Sequence, residues 1–109
     1  MQLIAGLFLP LLMLFHLVGP VPGDLGVHNG QLSPCPSPAH CASRSWNPAD
    51  PQAGFETLAE AAADLPRSVV VERDDGYLHA QVSSALFGFV DDLELLCLEE
   101  VQEVQARSI

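Results

Sequence analysis

The 109-residue sequence predicts an α+β fold, a small antiparallel β-sheet packed with one helix, preceded by an N-terminal apolar helix and a Pro/Gly-rich linker. Three observations carry the prediction. Phe55, Leu58, Ala59, Ala62 and Leu65 recur at steps of three and four, the spacing of one helix face. A β-branched run over 68–73 and an alternating run over 77–83 flank Asp74-Asp75-Gly76, the pattern of a hairpin. Finally, leucines crowd 93–98 just ahead of an acidic stretch, as expected of a strand that ends at a hydrated turn. The chain divides into 1–23, a signal peptide or membrane anchor, 24–51, the linker, and 52–109, the α+β domain.

Residues 3–18 carry no charge except a possible one on His16, and at ~1.5 Å per residue they cover about 24 Å as a helix. That is short for a membrane span and suits the apolar region of a signal peptide, although no Lys or Arg precedes it. Val21-Pro22-Gly23 places a small residue last before a cut ahead of Asp24. An uncleaved anchor and a buried apolar helix broken at Pro10 are the competing readings. In either exported case the acidic remainder lies outside the cytoplasm.

Every proline but Pro66 falls at or before Pro51, and 19–51 is also rich in Gly, Ser and Asn, so regular structure is not expected there. Within it Cys35 and Cys41 stand with five residues between them. In an oxidising compartment this spacing closes a small disulfide loop, and the intervening prolines reduce the entropy lost on closure. Zinc held by Cys35, His40 and Cys41 is the sharper alternative, but no second ligand pair follows at metal-site spacing; free thiols are a third. Cys97, in an apolar context, reads as a small core hydrophobe.

Asp50 or a neighbour can cap the helix over 54–65, and Pro66 stops it. In the hairpin, Leu78, Ala80 and Val82 share one strand face, opposite Tyr77, His79 and Gln81. His79 reads as an outer-face residue; the functional alternative makes it a base or ligand beside Asp91 or Asp92. That acidic pair suits a turn or a solvated face, with a hard cation as the sharper reading.

Periodicity leaves 90–107 undecided between helix and strand, because Val90, Leu93, Cys97, Val101 and Val104 also fit a helical stripe. Burial decides. A helix would leave Leu95, Leu96 and Leu98 poorly covered, whereas an inner strand packs Leu93 and Leu95 on one side and Leu96 and Leu98 on the other. Each buried leucine is worth roughly 1.5–3 kcal/mol, against about 0.3–1 kcal/mol for each acid in a first helical turn. The segment is therefore expected to be strand, turn, strand.

LSPCPSPAHCAS over 32–43, Leu65-Pro66-Arg67, GYLHAQVSSALFGFVDDLEL over 76–95 and VQARS over 104–108 together resemble the DUF1499 family, proteins of unknown function found in bacteria and photosynthetic organisms. Ala39-His40 departs from the Pro-Asn pair usual in the first block. The resemblance implies strands over 93–98 and 103–108 joined by a turn over 99–102. It marks Tyr77, His79, Phe89, Asp91, Asp92, Glu94 and Arg107 as motif positions of unassigned role. It also implies that about a quarter of the family domain, beyond Arg107-Ser108-Ile109, is missing from a C-terminally truncated chain.

Four arginines, no lysine and 14 acidic residues set a net charge of −10, which opposes phosphate backbones and excludes nucleic acid as a partner. No Ser-His-Asp order, P-loop, dinucleotide glycine pattern or H-E-x-x-H motif is present. The expectation is an exported or membrane-anchored, non-enzymatic binding or accessory protein, with another exported or membrane protein as partner and no cofactor. The alternative is a metal-binding protein or enzyme using Asp91, Asp92, Glu94 and His79.

Overall fold

The structure, a computed structural model, describes residues 22–37, 39–83 and 90–109. The apolar segment 3–18 and the motif residue Phe89 lie outside them. Two short strands, β1 (Val27–His28) and β2 (Gln31–Leu32), pair with each other. There follow β3 (Ala42–Trp46), helix α1 (Pro51–Ala63), β4 (Ser68–Arg73), β5 (Tyr77–Ser83), β6 (Val90–Leu98), a 3-10 turn (Glu99–Val101) and β7 (Glu103–Ser108). Strands β4 to β7 form an antiparallel meander, and β3 adds to its far edge, giving the order β3-β7-β6-β5-β4. The connection from β3 to β4 must cross the whole sheet, and α1 makes that crossing over one face.

The helix begins three residues before the expected Gly54. Asp50 caps it, its side chain accepting from the Ala53 N–H at 3.1 Å, and Pro51 takes the first helical position, where a missing N–H costs nothing. It ends at Ala63, before Leu65, and Arg67 turns the chain with a positive φ of 62°. Phe55, Ala59 and Ala62 bury against Leu78 and Ala80 of β5, Leu95 of β6 and Val104 of β7, with Leu58, Leu93, Cys97 and Ala106 packed around them. Cys97 is half-buried among these side chains, as its apolar context implied.

Strand, turn, strand holds over 90–108. Leu95 and Leu93 face the helix, while Leu96 and Leu98 pack on the opposite side with Tyr77 and Leu32. Glu99, Glu100 and Gln102 sit exposed at the turn, and Gln102 takes the left-handed conformation there. Two expectations fail. Asp91 and Asp92 lie inside β6 rather than in a turn, and the alternation of the strand leaves the solvated-face reading true of Asp91 alone while turning Asp92 inward. Residues 42–46, expected to be irregular, form β3, because its backbone completes the open edge of β7 from Ala42↔Ser108 to Trp46↔Val104.

Cys35 and Cys41 are disulfide-bonded, with Cα atoms 5.6 Å apart, and the bridge stands immediately before β3. The loop it closes thus fixes where the edge strand starts. In consequence the zinc and free-thiol readings of this pair do not hold.

Leu95, 3% exposed, touches the helix across the middle of the sheet, whereas Leu65, 45% exposed, lies in the turn after it. Denaturant unfolding of Leu95→Ala is expected to show a loss of about 2–5 kcal/mol, the range for emptying a core leucine site. Leu65→Ala should stay within about 0.5 kcal/mol of the parent, as for surface positions.

Candidate functional site

The face of the sheet away from α1 carries the polar motif residues. Antiparallel register sets them side by side: Tyr77 opposite Leu96, His79 opposite Glu94, Gln81 opposite Asp92, and Glu94 opposite Arg107. Side chains two apart on one strand share a face, so β5 contributes Tyr77, His79 and Gln81, β6 contributes Asp92 and Glu94, and β7 contributes Gln105 and Arg107.

Arg107 is the centre of this array. Its side chain is fully buried, and so is that of Glu94, whose Oε1 accepts from Arg107 Nε at 3.2 Å. The rest of the guanidinium points at the strap formed by residues 24–34. Nη1 and Nη2 each donate to a different oxygen of the Asp24 carboxylate, both at 2.9 Å, and Nη1 also donates to the Pro34 carbonyl at 3.3 Å. This two-pronged arrangement matches the planar fork of arginine to the planar carboxylate. The second Glu94 oxygen, Oε2, accepts from the Tyr77 hydroxyl at 2.6 Å and from the Gly26 backbone N–H at 2.7 Å. The strap is also held by the Leu32 N–H, which donates to Gln105 Oε1, and by Ser33 Oγ, which donates to the Asp24 carbonyl.

His79 and Asp92 form a second buried pair, Nε2 to Oδ1 at 2.7 Å, with Gln81 Nε2 donating to the same oxygen at 3.4 Å. A carboxylate only accepts, so this contact requires the proton on Nε2. The expected outer-face position of His79 is thereby corrected: only 7% of the residue is exposed. A hairpin viewed alone has a free polar face, whereas here that face is enclosed. Asp91, by contrast, projects from the strand into solvent and does not join Asp92, Glu94 and His79. Among the described residues no three His, Cys, Asp or Glu side chains converge as a metal-ligand set.

Hydrogen bonding and charge shift the titration of this network. The Arg107 guanidinium donates to the Asp24 carboxylate and holds its pKa below the usual 3.8, more than offsetting partial burial. Its folded-state pKa is lower than its unfolded one, so the contribution to stability is present above about pH 3.8. It is lost as pH falls through the lower folded value. Burial, and then the bond to Glu94, push the Tyr77 phenol well above its ordinary 10.0. Tyr77 therefore stays protonated as a donor to Glu94.

Two open depressions flank the strap. One, of about 360 Å³, runs between the strap and β3 past Leu32, Pro34, Arg44, Gln105 and Arg107. The other, of about 750 Å³, lies by the 3-10 turn among Gln52, Asp75, Cys97, Glu100 and Glu103. Neither receives a motif carboxylate that lacks a protein partner.

Asp24, Gly26 and Gln105 are site residues that sequence patterning does not single out. Asp24 and Arg107 are 83 positions apart, and only the folding of the strap over the sheet brings them together. What the fold and site define is an α+β domain with one helix over one sheet face and a buried arginine–carboxylate network over the other, stapled by a disulfide. A family model described as a protein of unknown function (DUF1499) matches residues 30–109, and the chain belongs to that family. No curated protein and no solved structure matches it.

Breaking a buried pair by removing one partner leaves the other charge uncompensated. Glu94→Leu also strips the Tyr77 hydroxyl and the Gly26 N–H of their acceptor, and should cost about 3–5 kcal/mol in denaturant unfolding. Asp24→Asn keeps an acceptor at a side chain that is 42% exposed, so its cost is expected at no more than about 1 kcal/mol. An equal loss in the two variants would show that the buried and strap-side contacts do not differ.

Tyr77 is the chain's single tyrosine, so ultraviolet absorbance follows its ionisation without interference. Above pH 10 the unfolded chain releases a phenolic proton that the folded chain keeps, and stability therefore falls as pH rises. The phenolate band should emerge only with unfolding, not in native protein near pH 10.

Proposed function

We propose that the chain is an exported or membrane-anchored domain that serves as a non-enzymatic binding or accessory factor. The observation that carries the non-enzymatic part is the engagement of the two buried motif acids by protein donors. Both oxygens of Glu94 are engaged, by Arg107, Tyr77 and Gly26, and Oδ1 of Asp92 is engaged by His79 and Gln81, so these atoms serve the fold. A general base or a metal ligand needs a lone pair facing substrate or ion. Asp91 is free to face solvent but stands on the other side of the strand.

Support for export comes from the Cys35–Cys41 disulfide, since such bonds persist in oxidising compartments. Among the described residues no helix is long and apolar enough to cross a membrane. A surface suited to a partner exists at the sheet edge. Val69, Val70 and Val71 on β4 are 62%, 40% and 53% exposed, and an open strand edge can accept a further strand. The partner this suits is another exported or membrane protein with an extended segment.

Fractionation with thiol counting tests the export reading: protein recovered outside the cytoplasm should alkylate at one cysteine before reduction and at three after it. Three reactive thiols before reduction would oppose it. For the metal-binding alternative, calcium or zinc is added during thermal melting. An unchanged melting temperature with both ions is expected, while a rise abolished by Asp91→Ala or Asp92→Asn would favour that alternative instead.

A further inference from the structure

We propose that the Cys35–Cys41 disulfide is a redox-operated clasp: reduced by a dithiol, it lets go of β3 and uncovers the backbone of β7 as a new edge of the sheet. This does not depend on the export reading above, and it concerns the edge opposite β4.

Two segments lie along β7, and the disulfide fastens them to each other. On one side is the strap, whose Pro34 carbonyl accepts from Arg107 Nη1 at 3.3 Å, and Cys35 follows directly. On the other side is β3, which starts at Ala42 beside Cys41 and pairs with β7 from Ala42↔Ser108 to Trp46↔Val104. Little else holds β3. All five of its residues are exposed and none belongs to either apolar cluster, so burial offsets little of the entropy lost in ordering the strand. Its far end is tied by the Asn47 side chain, which donates to the Gln102 carbonyl at 3.1 Å, and its near end by the disulfide.

Opening the bond leaves Cys35 and Cys41 joined through a sequence separation of 6. At ~3.3–3.6 Å per residue that stretch can extend to about 20 Å, against the 5.6 Å between their Cα atoms in the bridged form. The first residues of β3 can then leave Ser108 and Arg107 while Trp46 stays near its anchor. An exposed edge strand with few apolar contacts is the kind of element that opens at low free-energy cost. The helix-facing core, centred on Phe55, Leu78 and Leu95, does not involve β3, so the opening stays local.

The bond is also placed to be reached. Cys35 and Cys41 are half-buried, and Pro36, Ser37, Ala39 and His40 between them are exposed. A thiolate of the dithiol attacks one sulfur, forming a mixed disulfide and expelling the other cysteine as a thiolate. The second thiol of the reductant then displaces the remaining cysteine, so the reductant leaves as a disulfide, two electrons pass to the protein, and protons from the two thiols end on Cys35 and Cys41. In an oxidising compartment the clasp is closed. Once open, it frees the β7 backbone groups that β3 had paired, and an extended segment of another protein can use such an edge.

Hydrogen–deuterium exchange of the full chain, read by mass spectrometry before and after adding dithiothreitol, tests the clasp. Reduction should remove protection over 42–46 and part of it over 103–108, whose other hydrogen bonds go to β6, and leave 77–83 unchanged. Unchanged exchange over 42–46 would mean that the bridge does not hold the edge, and would overturn the proposal. Protection lost over 77–83 as well would overturn it too, because the bond would then support the whole sheet. Cys35→Ser combined with Cys41→Ser supplies a second arm and separates the bridge from Cys97, the free cysteine. This variant should exchange fast over 42–46 without reductant and should not respond to it. Slow exchange that dithiothreitol still accelerates in the variant would assign the effect elsewhere and refute the clasp.

Discussion

A fully buried guanidinium is the constraint on which the polar half of this domain depends. Arg107 stands on an inner strand of the sheet with its side chain closed off from bulk solvent, and moving such an ion out of water costs several kcal/mol unless its donors are met. Two carboxylates and a carbonyl meet them. Glu94 comes from the neighbouring strand, fixed by the Glu94↔Arg107 register, and Asp24 and Pro34 come from the strap. The strap is thereby tied to the buried guanidinium through Asp24 and Pro34. Gly26 and Leu32 bind the same strap through backbone N–H groups, so Asp24 does not act alone.

The two faces of the sheet are built on different physics. Toward α1 the core is apolar and non-directional, with Phe55, Leu78, Leu95 and Val104 at its centre. Toward the strap the small apolar cluster of Leu32, Tyr77 and Leu96 adjoins hydrogen-bonded ions whose geometry admits few alternatives. A one-residue slip of β6 against β5 or β7 would send Glu94 and Asp92 into the helix-facing core and the leucines into the ion network. Such a slip is penalised on both faces at once, which gives the β5-β6-β7 ladder a single register.

This also changes what the motif residues say about function. Tyr77, His79, Asp92, Glu94 and Arg107 are polar, they face one way and they are enclosed, a combination that resembles an active site. In the structure each is bonded to another of the set, or to the strap or Gln81. They organise the domain, and the surfaces left for partners are the exposed valine edge of β4 and the two depressions beside the strap.

Much of the architecture is written in local pattern. The bounds of β4 and β5 follow from β-branched content and alternation around Asp74-Asp75-Gly76, and the spacing of Cys35 and Cys41 favours the disulfide that the structure holds. Strand, turn, strand over 90–108 follows from the need to cover two sets of leucines. The start of α1 is less legible, since apolar spacing begins at Phe55 while the cap and first turn use Asp50 and Pro51. What the sequence could not state is which polar residues are enclosed. An alternating strand shows that Tyr77 and His79 share a face, not whether water reaches it. Closing that face takes a strap separated from Arg107 by most of the chain, and pairing β3 with β7 takes a crossover of the whole sheet. Neither leaves a periodic signal, because hydrogen bonds and ion pairs between distant segments depend on where the backbone has already been placed.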